Sequence, residues 1–205
     1  MKKIIYAFTA LLLMTACAKE YPNNIHEEGI GPILIGMNIK SVPAKVEGLY
    51  DTIVIKHTEA YFDDFEGETI PAYDTYLFKA GKETAFKTVP TNDGEIEYLE
   101  ALSPSLDFRG LSPEMSCRSA LLSEAKLLAY GSYESCYFYS CFRFADVPNI
   151  DIVFPIAGGN TFSRKGANKL CNLPIQEDGG PIELNFATED FRKSAKISHI
   201  LIGGK

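Results

Sequence analysis

The stretch Tyr73-Asp74-Thr75-Tyr76-Leu77-Phe78-Lys79-Ala80-Gly81-Lys82-Glu83-Thr84-Ala85-Phe86-Lys87-Thr88-Val89 decides the fold. Two runs, Tyr73 to Lys79 and Thr84 to Val89, flank Ala80-Gly81-Lys82-Glu83, which reads as a hairpin turn. Shortly after, Thr91-Asn92-Asp93-Gly94 forms a second turn signal, because Asp-Gly supplies positive φ at little steric cost. It leads into Glu95-Ile96-Glu97-Tyr98-Leu99. These signals agree with one another.

Upstream, Ile33, Ile35, Met37 and Ile39 alternate with Gly36, Asn38 and Lys40, and Thr52 to His57 is a short β-branched run. Downstream come Cys136 to Phe144, Ile150 to Phe154, Ile182 to Phe186 and Ile197 to Ile202. In the first of these, Cys136, Phe138, Phe142 and Phe144 share one face, while Tyr137, Tyr139, Cys141 and Arg143 share the other. Eight or nine short strands with turns between predict a mainly β fold. The expected architecture is an antiparallel β-sandwich with one packed α-helix; an α+β arrangement is the alternative.

The helix is expected to open at Ser112-Pro113-Glu114. Ser112 suits a cap, Pro113 the first helical position, and Glu114 the positive end of the macrodipole. It would run to about Ala129 and stop near Gly131, with Cys117, Leu121, Ala125 and Leu128 on one stripe and Leu122 and Ala129 widening it. Ala157 to Pro174 reads as a long loop carrying Gly158-Gly159-Asn160, Arg164, Lys165 and Lys169.

Four cysteines, Cys117, Cys136, Cys141 and Cys171, allow three disulfide connectivities. Cys136 and Cys141 are five apart and would point to opposite faces of a regular strand, which favours Cys117–Cys136 and Cys141–Cys171. One bridge with two free core thiols is another reading. Only Cys136-x₄-Cys141 approaches the close ligand pairs of a zinc site, and no metal is expected.

No nucleophile elbow, zinc-protease helix or phosphate-cradling glycine loop occurs, so no cofactor and no catalytic residue is assigned. His26, His57 and His199 stand far apart. Asp63, Asp64, Glu66 and Glu68 surround Gly67 without the spacing of a calcium loop, which points to a solvated charged turn. Two groups are candidate binding residues. Tyr133, Tyr137 and Tyr139 offer large contact area at low entropy cost to a glycan or protein. Arg164, Lys165 and Lys169 stand out as cations against an acidic background and suit an anionic ligand.

The N-terminus reads Met1-Lys2-Lys3, an apolar run from Ile4 to Met14, then Thr15-Ala16-Cys17. A basic segment followed by roughly 7–15 apolar residues has the layout of an export signal. The run falls short of the about 20 residues that span a bilayer. Leu13-Met14-Thr15-Ala16-Cys17 resembles the lipobox of bacterial lipoproteins. Met14, where Leu is usual, is a small departure. The resemblance implies cleavage before Cys17 and acylation of its sulfur and new amine. It also implies a membrane hold through the lipid, in the cell envelope and at the outer membrane. Charged residues directly after the cysteine resemble surface-export signals of Bacteroidetes lipoproteins.

On this reading residues 1–16 are a signal peptide, 17–30 a lipidated tether, and 31–205 a single β-rich domain. Without Lys2 and Lys3, 18 basic residues face 27 acidic ones, a net charge of −9. That balance argues against nucleic acid, whose binding depends on neutralising phosphates. The functional expectation is a non-enzymatic envelope module that binds a protein partner or glycan. Alternatives are an envelope enzyme acting on glycan or peptide, or a subunit of a fimbria-like assembly with an open sheet edge.

Overall fold

The computed structural model describes residues 24–64, 67–131, 138–155, 161–172 and 180–203. Cys17, Tyr133, Cys136, Tyr137 and Gly158-Gly159-Asn160 lie outside the described residues. A small antiparallel meander comes first: β1 (Ile25–His26), β2 (Gly29–Ile30) and β3 (Ile33–Leu34). A one-turn helix α1 (Val42–Lys45) leads to β4 (Thr52–Thr58), and β5 (Tyr61–Asp63) and β6 (Glu68–Ile70) form a separate hairpin. Then come β7 (Tyr73–Ala80), β8 (Glu83–Thr88) and β9 (Tyr98–Ala101). The second half holds α2 (Cys117–Ala120), β10 (Lys126–Gly131), β11 (Phe138–Arg143) and β12 (Ile150–Val153). It closes with α3 (Arg164–Cys171), β13 (Ile182–Glu183) and β14 (His199–Gly203).

Nine strands join in one antiparallel sheet of order β13-β10-β11-β12-β14-β9-β8-β7-β4. The hairpin read from Tyr73 to Val89 is present, with Ala80 opposite Glu83. Strand β14 pairs with both β9 and β12 and so zips the two halves together.

Period-two alternation gives this sheet two different faces. One carries Leu127, Phe142, Ile150, Ile152, Ile200, Ile202, Leu99, Ala101, Phe86 and Phe78, all buried. Phe78 stacks on Phe86 with centroids 4.2 Å apart. Buried Phe191 meets the rings of Phe142, Phe154, Phe162 and Phe186 at 5.2 to 6.1 Å. The layer packed on this face comprises β1–β3, through Ile25, Ile30 and Ile33, and the stretches that contribute Leu106, Leu111, Ala120, Leu170 and Ile197. The fold is mainly β and sandwich-like. The sheet's other face carries ion pairs in place of phenylalanines: Lys126–Glu183 at 2.7 Å, Arg143–Asp151 at 2.5 Å and Lys87–Glu100 at 2.9 Å.

Three expectations are corrected. The helix over 112–129 shrinks to the single turn α2. Glu114 has φ +67°, outside helical backbone, and the donors of Glu114 and Cys117 go to the carbonyls of Ile197 and Ala195. Leu122, assigned to the apolar stripe, is 82% exposed, and Lys126–Gly131 alternates as strand β10. The packed helix is instead α3, inside the segment read as a loop. Ser163 caps it by accepting the Gly166 N–H.

Cys117 and Cys141 are free, buried thiols, so neither expected bridge is formed. Cys117 is held against Ala195, and Cys141 lies mid-strand between Leu128 and Val153 with its thiol bonded to the Asp151 carboxylate. Finally, Ile25 and Ile30 are buried in the core, so the folded unit begins within the stretch assigned to the tether.

Candidate functional site

The expected binding cations Arg164, Lys165 and Lys169 all lie on α3, but the two lysine charges are already used. Lys165 pairs with Glu189 at 3.0 Å, and Lys169 pairs with Asp190 while its ammonium sits 5.2 Å from the Phe186 ring. Asp190 is buried and also accepts the Ala187 N–H at 2.8 Å. Burial pushes its carboxyl upward, yet the Lys169 hydrogen bond, the Ala187 amide and the two lysine charges outweigh that and hold it below the ordinary carboxylate range. An open hollow of about 610 Å³ beside these residues is lined by Asn168, Asn172, Asn185 and Phe186. With two carboxylates matching two lysines, it offers an anion no excess of positive charge. Arg164 is exposed at the start of the helix.

Tyr139 lies on β11 opposite Tyr130, in the same register set as Cys141 and Arg143. The acidic turn forms the end of the β5–β6 hairpin, with Asp63 opposite Glu68 and with Glu66 outside the described residues. The histidines are local. His26 accepts the Glu28 N–H at Nδ1 and contacts the Gly31 carbonyl through Nε2 at 3.0 Å, binding one β-turn together. His57 contacts Asp74 at 2.7 Å, and that hydrogen bond raises its pKa on the protein surface. His199 is bonded to Ser198 at 2.8 Å, and burial lowers its pKa.

The larger concavity lies elsewhere. It is a groove of about 810 Å³ at one end of the sandwich, where β1–β3 meet the ends of β9 and β14. Its construction starts with Ile35–Ile39, which runs beside Gly94–Ile96: Gly36 N–H donates to Ile96 O at 2.8 Å, Ile96 N–H to Met37 O at 2.9 Å, and Ile39 N–H to Gly94 O at 2.7 Å. Strand-like alternation then buries Ile96 and turns Glu95 and Glu97 outward. Glu27 and Glu28 come from the β1–β2 turn, where Asn149 donates to the Glu27 carbonyl.

Gly203 closes the junction. A Cβ there would stand 2.4 Å from the Glu97 carbonyl oxygen and 3.0 Å from Ile35, so only glycine permits this approach. Leu34, Ile35, Pro148 and Tyr98 supply the apolar lining. Burial, followed by the Glu100 charge, raises the Tyr98 pKa and keeps its phenol a neutral donor.

Among the described residues, none of Glu27, Glu28, Glu95 and Glu97 makes an ion pair. The nearby Arg109 is held by Asp146 through bonds of 2.7 and 2.8 Å. Four carboxylates around apolar walls, of which Glu27 also feels the Arg109 charge, suit a cationic group on an apolar stem, as in lysine or arginine. The sequence reading missed this site because its glutamates come from two segments almost seventy residues apart. The alternation Glu95-Ile96-Glu97 was the only local signal.

No family model matches the chain, and no curated protein does. Among solved structures, the chain is similar to the crystal structure of the uncharacterized protein yfeY from Escherichia coli. That likeness has 15% identity and a TM-score of 0.50, and it covers 89% of this chain and 99% of that chain. At that identity the likeness is one of fold.

Proposed function

We propose that the protein is a lipid-anchored, non-enzymatic binding module of the bacterial envelope that takes a basic segment of a partner protein into the Glu27/Glu28/Glu95/Glu97 groove. One observation carries the reading: four glutamates, none in an ion pair among the described residues, border an apolar groove in a protein of net charge −7. A lysine or arginine entering there keeps its head near carboxylates while its stem covers Leu34 and Ile35. Opposite potentials also speed encounter and select against acidic partners.

The lipobox-like Cys17 supplies the anchor in this reading, placing the module at the outer membrane. β1 begins eight residues after that cysteine, a reach of at most about 28 Å along the chain. The groove built on β1–β3 therefore works close to the membrane surface.

Fluorescence anisotropy with lysine-rich and glutamate-rich peptides of equal length tests the groove. The lysine-rich peptide binds, and Glu95→Gln with Glu97→Gln weakens it by roughly 2- to 30-fold, at about 0.2–1 kcal/mol for each of two exposed charges. Equal binding of both peptides, or no loss in the double variant, overturns the groove reading. Membrane fractionation of Cys17→Ser tests the anchor separately: the anchor predicts release, and unchanged retention removes it.

A further inference from the structure

The two edges of the nine-stranded sheet differ. β13 is two residues long and follows Pro181, a common way to blunt an edge. β4 is seven residues long, pairs with β7 along its whole length, and among the described residues has no strand on its other side. Its sequence, Thr52-Ile53-Val54-Ile55-Lys56-His57-Thr58, is β-branched and lacks proline. Val54 is 40% exposed and Ile55 55% exposed. Such an edge is a ready template for another strand.

We propose that β4 is a self-association edge, on which a second copy of this chain adds its own β4 antiparallel about a two-fold axis at Val54. This inference is independent of the groove reading. Charge and apolar pattern select the occupant and the register. Centred on Val54, the pairing sets Val54 against its own equivalent and Ile53 against Ile55 of the other copy. It sets Thr52 against Lys56, and Asp51 against His57. Asp51 meets a histidine, and no like charges face each other. Centring on Ile55 instead sets Asp51 against Glu59 and Val54 against Lys56, which opposes like charges and strands an apolar side chain.

The pairing also completes a surface already half-built. Across the ladder Ile55 stands opposite Tyr76, and Ile53 opposite Phe78. In the two-fold pair, the row Tyr76–Ile55 continues into Ile53 and Phe78 of the second copy, so the apolar face of one sheet runs unbroken into the other. Opposed residues in an antiparallel pair have Cβ atoms about 4.5–5.5 Å apart, close enough for cross-strand packing.

Disulfide trapping in the full-length protein reads this register. Val54→Cys places two new thiols against each other on the axis, whereas Thr52→Cys faces Lys56. Mild oxidation should give a dimer band on a non-reducing gel several-fold stronger for Val54→Cys than for either Thr52→Cys or the parent. Sedimentation should show the parent as a dimer and Val54→Glu, which opposes two carboxylates on the axis, as a monomer with an unchanged circular dichroism spectrum; Val54→Thr should stay dimeric. A monomeric parent, a Val54→Glu protein that remains dimeric, or equal trapping at positions 52 and 54 overturns the proposal.

Discussion

Arg143 and Asp151 meet across β11 and β12 through two parallel hydrogen bonds, Nε to Oδ1 at 2.5 Å and Nη2 to Oδ2 at 2.7 Å. The side chains are 22% and 11% exposed, so the pair sits largely out of water on the sheet face away from the phenylalanines. Removing one member of such a pair leaves the other charge uncompensated, which costs more than the pair contributes. Asp151→Asn should therefore destabilise the fold by about 3 kcal/mol, at the lower end of the buried-pair range because part of Arg143 reaches solvent. Urea unfolding measures this, and a loss under 1 kcal/mol would show that water reaches the site freely.

The thiol of Cys141 lies beside that carboxylate. Burial first, then the Asp151 charge, raises its pKa, with Arg143 opposing. Burial, opposed by a backbone hydrogen bond, pushes Cys117 up to about 12. The thiolate is the reactive form, so both positions should resist alkylation in the native protein at pH 8 and label on unfolding. Site-resolved mass spectrometry after a short pulse of iodoacetamide decides this. Rapid native labelling at either position would mean that the thiol is reached from outside.

Backbone contact makes Gly166 and Gly203 irreplaceable for different elements. A Cβ at Gly166 would stand 2.1 Å from the Asp190 carbonyl oxygen, which would drive α3 off the strap that holds Phe191. Gly203 combines φ +79° with the close approach to Glu97. Gly166→Ala and Gly203→Ala should each cost more than about 1 kcal/mol, well above what alanine gains in unfolded-chain entropy. Thermal melts check both. Gly203→Ala should also weaken peptide binding, because the added methyl group pushes the Glu97 segment at the groove wall.

The sheet was legible because its signals are local. Tyr73 to Leu99 announces strands and turns through spacing alone, and the split of Phe142 from Cys141 and Arg143 follows from period two. Residues 112–129 misled because Leu121, Ala125 and Leu128 satisfy a helical spacing, while Leu127 and Ala129 equally satisfy a strand. What decided between them was tertiary pairing: residues 114–117 bond to Ala195 and Ile197, about eighty residues away, and Lys126–Gly131 pairs with β11 and with β13, over fifty residues away. Helix α3 was hidden by Gly166, a poor helix former that is retained because Asp190 leaves no room for a side chain. The glutamate groove was invisible for the same reason as the Ala195 contact: tertiary pairing, not composition, brings Glu27 and Glu28 near Glu95 and Glu97.

Asp190 should set the acid limit of the C-terminal half. Its carboxylate is buried, with Oδ2 held by Lys169 and the Ala187 N–H, while Oδ1 has no hydrogen-bond partner among the described residues and lies 4.0 Å from the Lys165 ammonium. The folded-state pKa is depressed below the unfolded one. The unfolded chain therefore takes up this proton first as pH falls, and stability rises with pH through that window. The contribution is complete above the unfolded value, about 4, and is lost as pH drops through the folded value.

Melting temperature measured from pH 7 down to about pH 2 should fall steeply below about pH 4 in the parent. Asp190→Asn should start lower, because Lys169 loses its partner, but fall less over the same range. Lys169→Met removes the main force that lowers the carboxyl pKa, so its acid transition should move to higher pH than in the parent. Parallel curves for parent and Asp190→Asn would show that this carboxylate titrates alike in the folded and unfolded chain, and the ion pair at the foot of α3 would then contribute nothing to acid stability.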